Sequence, residues 1–126
     1  MTVRSYSLHG VRVAELAAEG APLRTGRDVV DVLGATSEHE PELVVIPTAR
    51  LEDDFFRLRT GIAGDVIQKF LTYRLRLVIL GDISRHLRDS SALGDFVYEC
   101  NSGTHVWFVP NADELNRRLQ PPTASH

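Results

Sequence analysis

The sequence has little that would place the protein outside a reducing compartment or inside a membrane. Its 126 residues include one cysteine, Cys100, so an internal disulfide is impossible and a reducing compartment is expected. No apolar run approaches the roughly 18 residues that cross a bilayer. The first residues lack the apolar stretch and small-residue cleavage site of a secretory signal. These absences predict a cytoplasmic protein.

The chain also lacks an excess of positive charge. Its 14 basic and 17 acidic residues give a formal net charge of -3, so a nucleic acid is not an expected partner. Membrane surfaces are anionic, and the same balance gives no support to membrane binding. The length fits one domain, which we predict over residues 1–120. Residues 121–126 hold two prolines and no apolar anchor, and a flexible tail is expected there.

Apolar runs along the chain predict the strands. The opening residues predict a β-hairpin that turns at His9-Gly10. The continuous runs Leu43–Ile46, Leu75–Leu80 and Val106–Val109 are typical of strands that are buried on both faces.

Amphipathic segments between these runs predict four helices. The first runs from about Gly26 to Ser37, the second begins at Thr60-Gly61, the third contains Leu93–Cys100 and the last follows Asn111. The residues after Gly81 are expected to form a polar loop. The order ββαβαβαβα predicts an α/β domain with a mostly parallel central sheet, an N-terminal antiparallel hairpin and flanking helices.

No familiar catalytic or metal-binding motif is present. The five histidines are scattered, and none has a second ligand at a spacing that completes a metal site. We therefore expect no metal and no cofactor. No nucleophile elbow, Walker sequence or dinucleotide fingerprint occurs. Cys100 lies on the apolar face of a predicted helix, which favours a buried, inert thiol over a nucleophile.

One loop combines several features of an anion site. Thr60-Gly61 opens the second predicted helix, where unpaired N–H groups and the helix dipole favour an anion. Arg57 and Arg59 flank this position and are able to add charge-assisted hydrogen bonds. We predict that Arg57, Arg59, Thr60 and Gly61 bind a small anionic ligand against the N–H groups of Ile62 and Ala63.

A simpler interpretation of the same loop is also open. Thr60 then serves only as an N-cap, and Gly61 only allows close packing of the helix on the sheet. Arg57 and Arg59 would pair with Asp53 and Asp54 in a surface network that holds no ligand.

A second polar cluster follows the carboxyl ends of the predicted parallel strands, where open α/β sheets bind ligands. Its members are Thr48, Arg50, Gly81, Asp82, Ser84 and Asn111. Asp82 is the candidate ligand-binding residue among them. The alternative is that Asp82 only forms a turn or cap after its strand.

Several segments of the chain form a recognisable set. They are Asp54–Gly64, Gln68-Lys69-Phe70 with Tyr73-Arg74, Gly81–Ser84, and Asp95–Asn101. In these segments the sequence resembles a small bacterial family known only as a domain of unknown function, family 4180. The resemblance covers nearly the whole chain except its tail. It implies a bacterial origin and brings no activity with it.

More distantly, the order of elements is similar to that of the STAS domains, the anti-sigma-factor antagonists and their relatives. In those proteins a partner kinase phosphorylates a serine or threonine at the start of the helix after the second central strand. Thr60 falls at the matching place. The usual acidic residue and paired hydroxyls are replaced here by Arg59-Thr60.

Taken together, these patterns predict a STAS-like, non-catalytic regulatory or binding module. It would bind a protein partner or a small anionic ligand through residues 57–61. The alternative is a small enzyme, or an accessory protein of a biosynthetic pathway, whose pocket gathers Arg57, Arg59, Lys69, Tyr73, Asp82 and Glu99. A homodimer is also expected, because two-fold self-association is the commonest closed assembly and because Phe55 and Phe56 are expected to lie near the surface.

Overall fold

Five strands and five helices follow one another along residues 1–121, the part of the chain that the computed structural model describes. The strands are β1 (Val3–Leu8), β2 (Val11–Leu16), β3 (Leu43–Pro47), β4 (Arg76–Leu80) and β5 (Val106–Val109). The helices are α1 (Gly26–Thr36), α2 (Ile62–Thr72), α3 (Ser84–Asp89), α4 (Ser91–Ser102) and α5 (Ala112–Leu119). Short 3₁₀ turns lie at Ser37–His39, Thr48–Arg50, Asp53–Phe56 and Leu58–Thr60. Most of the predicted tail, residues 122–126, lies outside the described residues.

The strands form one mixed sheet in the order β1-β2-β3-β4-β5. β1 and β2 are antiparallel, and each later neighbour is parallel. His9 and Gly10 make the two-residue turn between β1 and β2 with positive φ angles of 50° and 83°, as the favoured hairpin turn requires. The predicted α/β class, with its antiparallel hairpin and parallel centre, is confirmed.

Because successive side chains of a strand point to opposite faces, the sheet supplies two cores. The first face packs against α1, α2 and α4, and its largest buried side chains include Leu16, Val32, Ile46, Phe55, Phe70, Leu77, Ile79 and Leu93. The second face packs against α5 through Val13, Leu43, Val45, Val78, Trp107, Val109, Leu115 and Leu119. Six residues from the three predicted strand runs are all buried: Val45, Ile46, Leu77, Ile79, Val106 and Phe108. None of the helices in residues 1–121 is long and apolar enough to span a membrane.

Helix α3 lies where the sequence predicted a polar loop. The N-cap position of this helix is Ile83, and the Asp82 carboxylate forms a turn just before it. One oxygen of that carboxylate accepts hydrogen bonds from the Ser84 N–H at 2.9 Å and from the Ser84 hydroxyl at 2.5 Å. The helix is six residues long and has only one large aliphatic side chain, Leu87. It therefore shows no helical period in the sequence, and the loop prediction is wrong here.

The expectation that Phe55 and Phe56 lie near the surface is also wrong. The two side chains are 1% and 4% exposed, and their rings meet edge to face with centroids 5.0 Å apart. They belong to the 3₁₀ turn Asp53–Phe56, which directs both rings into the core of the first face. Neither ring is available as an exposed contact for a second subunit.

Removing one core side chain should show how strongly the central sheet depends on its packing. Leu77 is fully buried in β4, so Leu77→Ala should lower the free energy of unfolding by about 2–5 kcal/mol through lost transfer energy and a cavity. The matched control is Val30→Ala on α1, where the side chain is 42% exposed and the change should stay within about 0.5 kcal/mol. Urea denaturation measures both. Equal effects of the two substitutions would contradict the assigned burial.

Candidate functional site

Arg57 and Arg59 line a cleft of about 470 Å³ at the carboxyl end of the sheet. One wall comes from the 3₁₀ turns that follow β3, and the other comes from α3 and the start of α4, which follow β4. The second wall adds three polar side chains that the sequence did not single out: Arg85, His86 and Ser90. The carboxylates of Asp53 and Asp89 also line the cleft.

The arginines of the cleft are paired unequally. Arg57 donates to Asp54 over 2.6 Å, and Arg85 donates to Asp53 over 2.7 Å. The hydrogen bond from Arg85 holds the pKa of Asp53 below its ordinary value. Within residues 1–121, Arg59 forms no hydrogen bond or ion pair from its side chain. The simpler interpretation, in which the loop arginines pair with Asp53 and Asp54, therefore holds for Arg57. Asp53 pairs with Arg85 instead, and Arg59 pairs with no carboxylate in residues 1–121.

His86 forms part of the cleft wall. Its imidazole stacks on the Phe56 ring at 4.1 Å between centroids and 14° between planes. Its Nε2 atom lies 3.9 Å from the nearest oxygen of Asp53. Burial, and then the charge of Arg85, lower the pKa of His86 below its ordinary value, and these effects exceed the opposing influence of Asp53. The imidazole is therefore neutral at neutral pH.

The start of α2 differs from the predicted anion site. The N-cap position is occupied by Gly61, with φ at 78°, rather than by Thr60. The Thr60 hydroxyl lies 2.8 Å from the carbonyl oxygens of both Asp54 and Arg57, to which it donates, and it accepts from the Ile62 N–H at 3.3 Å. Thr60 thus closes the preceding turn. Neither Thr60 nor Gly61 lines the cleft that Arg57 and Arg59 share.

A different helix start faces the cleft instead. Ser90 caps α4 by accepting a hydrogen bond from the Leu93 N–H at 3.1 Å, and both Ser90 and Ala92 line the cleft. In the described part of the chain, no acceptor is found for the N–H groups of Ser91 and Ala92. The positive end of α4 therefore lies beside the arginines, where it favours a negative charge.

In the second predicted cluster, Asp82 and Asn111 accept hydrogen bonds from backbone N–H groups, and Thr48 packs against Gly81. Asp82 forms a turn with Ser84 just before α3, and the hydrogen bonds from Ser84 lower the pKa of its carboxylate. Asn111 caps α5 by accepting from the Glu114 N–H at 2.9 Å. Thr48 lies so close to Gly81 that a Cβ atom there would overlap its side chain. The interpretation of Asp82 as a turn residue matches this geometry, and Asp82 does not line the cleft that holds Arg57 and Arg59.

Arg50, from the same cluster, is buried and binds backbone carbonyl oxygens. Its side chain is 3% exposed and donates to the carbonyl oxygens of Ala21 at 2.9 Å and Ala17 at 3.1 Å. Its own carbonyl oxygen accepts from the Leu23 N–H at 2.9 Å. A Cβ atom at Gly20, where φ is 140°, would lie 2.9 Å from the Arg50 guanidinium carbon. Arg50 therefore fixes the connection between β2 and α1.

The remaining polar residues proposed for an enzyme pocket lie apart from the cleft. Lys69 of α2 packs against Gly26 at the start of α1. Tyr73 is 54% exposed and lines an apolar groove beside α1, while Glu99 is exposed on α4. Of the six side chains in that set, only Arg57 and Arg59 line the arginine cleft.

Residues 1–121 contain no group of three His, Cys, Asp or Glu side chains that is arranged to hold a metal ion. The thiol of Cys100 is partly buried against the core of the first face. Burial, with a smaller effect from Glu99, raises the pKa of this thiol, which keeps it protonated and unreactive at neutral pH.

A comparison with protein families gives one match. The model of the domain of unknown function DUF4180 matches residues 8–119, a range that contains both walls of the cleft. It also contains each segment on which the sequence resemblance depends. The chain matches no curated protein and no solved structure.

The lowered pKa of His86 predicts a pH-dependent stability. Below about pH 6.5, the ordinary pKa of histidine, the unfolded chain takes up a proton that the folded chain resists, so protonation favours unfolding. The free energy of unfolding should therefore fall as the pH drops from 8 to 5. In His86→Phe, which keeps an aromatic ring on Phe56 but cannot titrate, the fall should be smaller. Denaturation at both pH values compares the two proteins, and an NMR titration of His86 at or above pH 6.5 would contradict the assignment.

Proposed function

Because the chain belongs to the DUF4180 family, whose description names no activity, we propose its function from the cleft: it is a non-catalytic module that binds a small organic anion. The observation that carries this proposal is Arg59, a guanidinium that faces the cleft without a carboxylate partner in residues 1–121. An arginine of this kind matches the geometry of a carboxylate or a phosphate.

The neighbouring arginines support the same ligand class. Each of the Arg57 and Arg85 ion pairs engages one guanidinium nitrogen, and a guanidinium carries five N–H donors. Spare donors therefore remain for a ligand beside Arg59. Asp53 and Asp89 oppose a bound anion, so binding depends on Arg59, the arginine of the cleft that pairs with no carboxylate in residues 1–121.

The stacked rings of Phe56 and His86 support an organic ligand. The His86 side chain is only 14% exposed, and its neutral imidazole and the Phe56 ring give the cleft an uncharged wall. The carbon skeleton of a small ligand would pack there, while its anionic group reaches Arg59 and the start of α4. Binding sites commonly combine an apolar lining with a few placed polar groups.

A regulatory role in the bacterial cytoplasm belongs to this proposal. The single cysteine is consistent with a reducing compartment, and the resemblance described from the sequence implies a bacterial origin. In the STAS-like form of the proposal, a partner kinase phosphorylates Thr60. The Thr60 hydroxyl would then leave the carbonyl oxygens of Asp54 and Arg57, and the turn that carries Arg59 would open.

An enzyme is the second candidate, and His86 is the observation that favours it. A neutral imidazole in a polar cleft, 3.9 Å from Asp53, is able to accept a proton from a bound substrate. Turnover of a ligand that binds the cleft, lost in His86→Phe, would support this candidate over a binding module.

Inorganic phosphate is a direct probe of the proposed site. Phosphate added to ¹⁵N-labelled protein, with ionic strength held constant by sodium chloride, should shift the amide resonances of Leu58, Arg59 and Ala92. Arg59→Ala should weaken this binding about tenfold or more, because it removes a charge-assisted hydrogen bond. The free energy of unfolding should hardly change, since the replaced charge is exposed.

The matched control is Arg27→Ala, which removes an exposed arginine from α1, away from the cleft. It changes the net charge by the same amount and should leave phosphate binding unchanged. Equal weakening by both substitutions would indicate non-specific attraction. No shift of the cleft amides in the wild-type protein would contradict the proposal itself.

A further inference from the structure

The two outer edges of the sheet are protected differently. At the β5 edge, the side-chain amide of Asn101 donates to the Phe108 carbonyl oxygen at 3.2 Å and accepts from the Phe108 N–H at 2.8 Å. One side chain from α4 thus satisfies both outward backbone groups in the middle of β5. This edge is closed to another strand.

The β1 edge is open. The Ala17 N–H donates to the carbonyl oxygen of Thr2, the residue opposite it in the register of β1 and β2. Thr2 and Ala17 are therefore a hydrogen-bonded pair, and so is every second pair of residues along the hairpin. In an antiparallel pair, alternate residues point their backbone groups away from the partner strand. Val3, Ser5 and Ser7 are therefore the outward residues of β1. Within residues 1–121, no hydrogen bond reaches the backbone groups of these three.

β1 also lacks the usual features that protect an edge strand. It contains no proline, and its six residues pair with β2 without a bulge. Ser5 and Ser7 are small, uncharged and exposed. The one charged side chain, Arg4, is held on the neighbouring β2 by Glu15 at 3.1 Å. Native proteins normally place charges, prolines or bulges on an exposed edge of this length.

We propose that β1 is the contact between two copies of this chain, which pair antiparallel about Ser5 and form a continuous ten-stranded sheet. In this register Ser5 faces its own counterpart, and Val3 faces Ser7 of the second copy. All three outward residues then form hydrogen-bonded pairs, and each pair exchanges two backbone bonds. A shift by two residues would leave outward groups without a partner.

Charge and packing favour a second copy as the occupant. In the same register, Arg4 lies opposite Tyr6 of the second copy, so no like charges meet directly across the contact. Arg4 already lies 4.7 Å above the Tyr6 ring of its own chain, which shows that the two side chains are compatible neighbours. The homodimer expected from the sequence is thereby placed at β1 rather than at Phe55-Phe56.

Cysteine cross-linking tests both the contact and its register. The test pair is Ser5→Cys and Ser7→Cys, each in a Cys100→Ser background. Hydrogen-bonded partners lie about 5.5 Å apart at their Cα atoms, which is within disulfide range. Ser7 of one copy would lie roughly 13 Å from Ser7 of the other. Mild oxidation should therefore yield a covalent dimer from the first variant and none from the second.

Sedimentation of the wild-type protein should show a species of twice 14.0 kDa at high micromolar concentration. Ser5→Pro removes an outward N–H, which an edge strand tolerates, and should give a folded monomer by circular dichroism. Ser5→Ala keeps the N–H and should stay dimeric. A wild-type monomer, or equal cross-linking at positions 5 and 7, would overturn the proposal. A folded dimeric Ser5→Pro would also overturn it, and so would a wild-type dimer that does not cross-link at position 5, because the dimer would then use another surface.

Discussion

The burial of β3 and β4 on both faces is the constraint on which the rest of the structure depends. Val44, Val45, Leu77 and Val78 are all 0% exposed, although neighbouring residues point to opposite faces of the sheet. A strand of this kind must be covered twice. Helices α1, α2 and α4 cover the first face, and α5 packs on the second. The cleft forms beyond the carboxyl ends of these strands, where the segments after β3 and β4 meet.

The same burial explains how much of the fold was predictable from sequence. A strand that is apolar on both faces appears as an unbroken run, and the bounds predicted for β5 from Val106 to Val109 agree with the structure. Helix α3 has no comparable signal, because one aliphatic residue, Leu87, cannot show a helical period. Its start depends on one local contact, the hydrogen bonds between Asp82 and Ser84. The sequence was therefore informative for the strands buried on both faces and uninformative for α3, which begins at a local turn.

The cleft was predictable only in part, for a related reason. Arg57 and Arg59 stand out because they lie close together in one loop. Arg85 and His86 reach the same cleft from a different connection, and their position depends on the parallel pairing of β3 with β4. The burial of Phe56 against His86 is likewise a tertiary contact. A pattern within one segment carries no information on which side chains of another segment will face it.

Burial, rather than charge, separates the structural arginine of this protein from those proposed to bind a ligand. Arg50 is 3% exposed, and its guanidinium satisfies two backbone carbonyl oxygens, so its loss would leave buried acceptors without donors. Arg57 and Arg85 form ion pairs on the surface, where such pairs contribute about 0–1 kcal/mol to folding. Arg59 has no such pair within residues 1–121 and lines the same cleft. Folding therefore requires Arg50 and gains little from the other three, whose guanidinium donors remain available to a ligand.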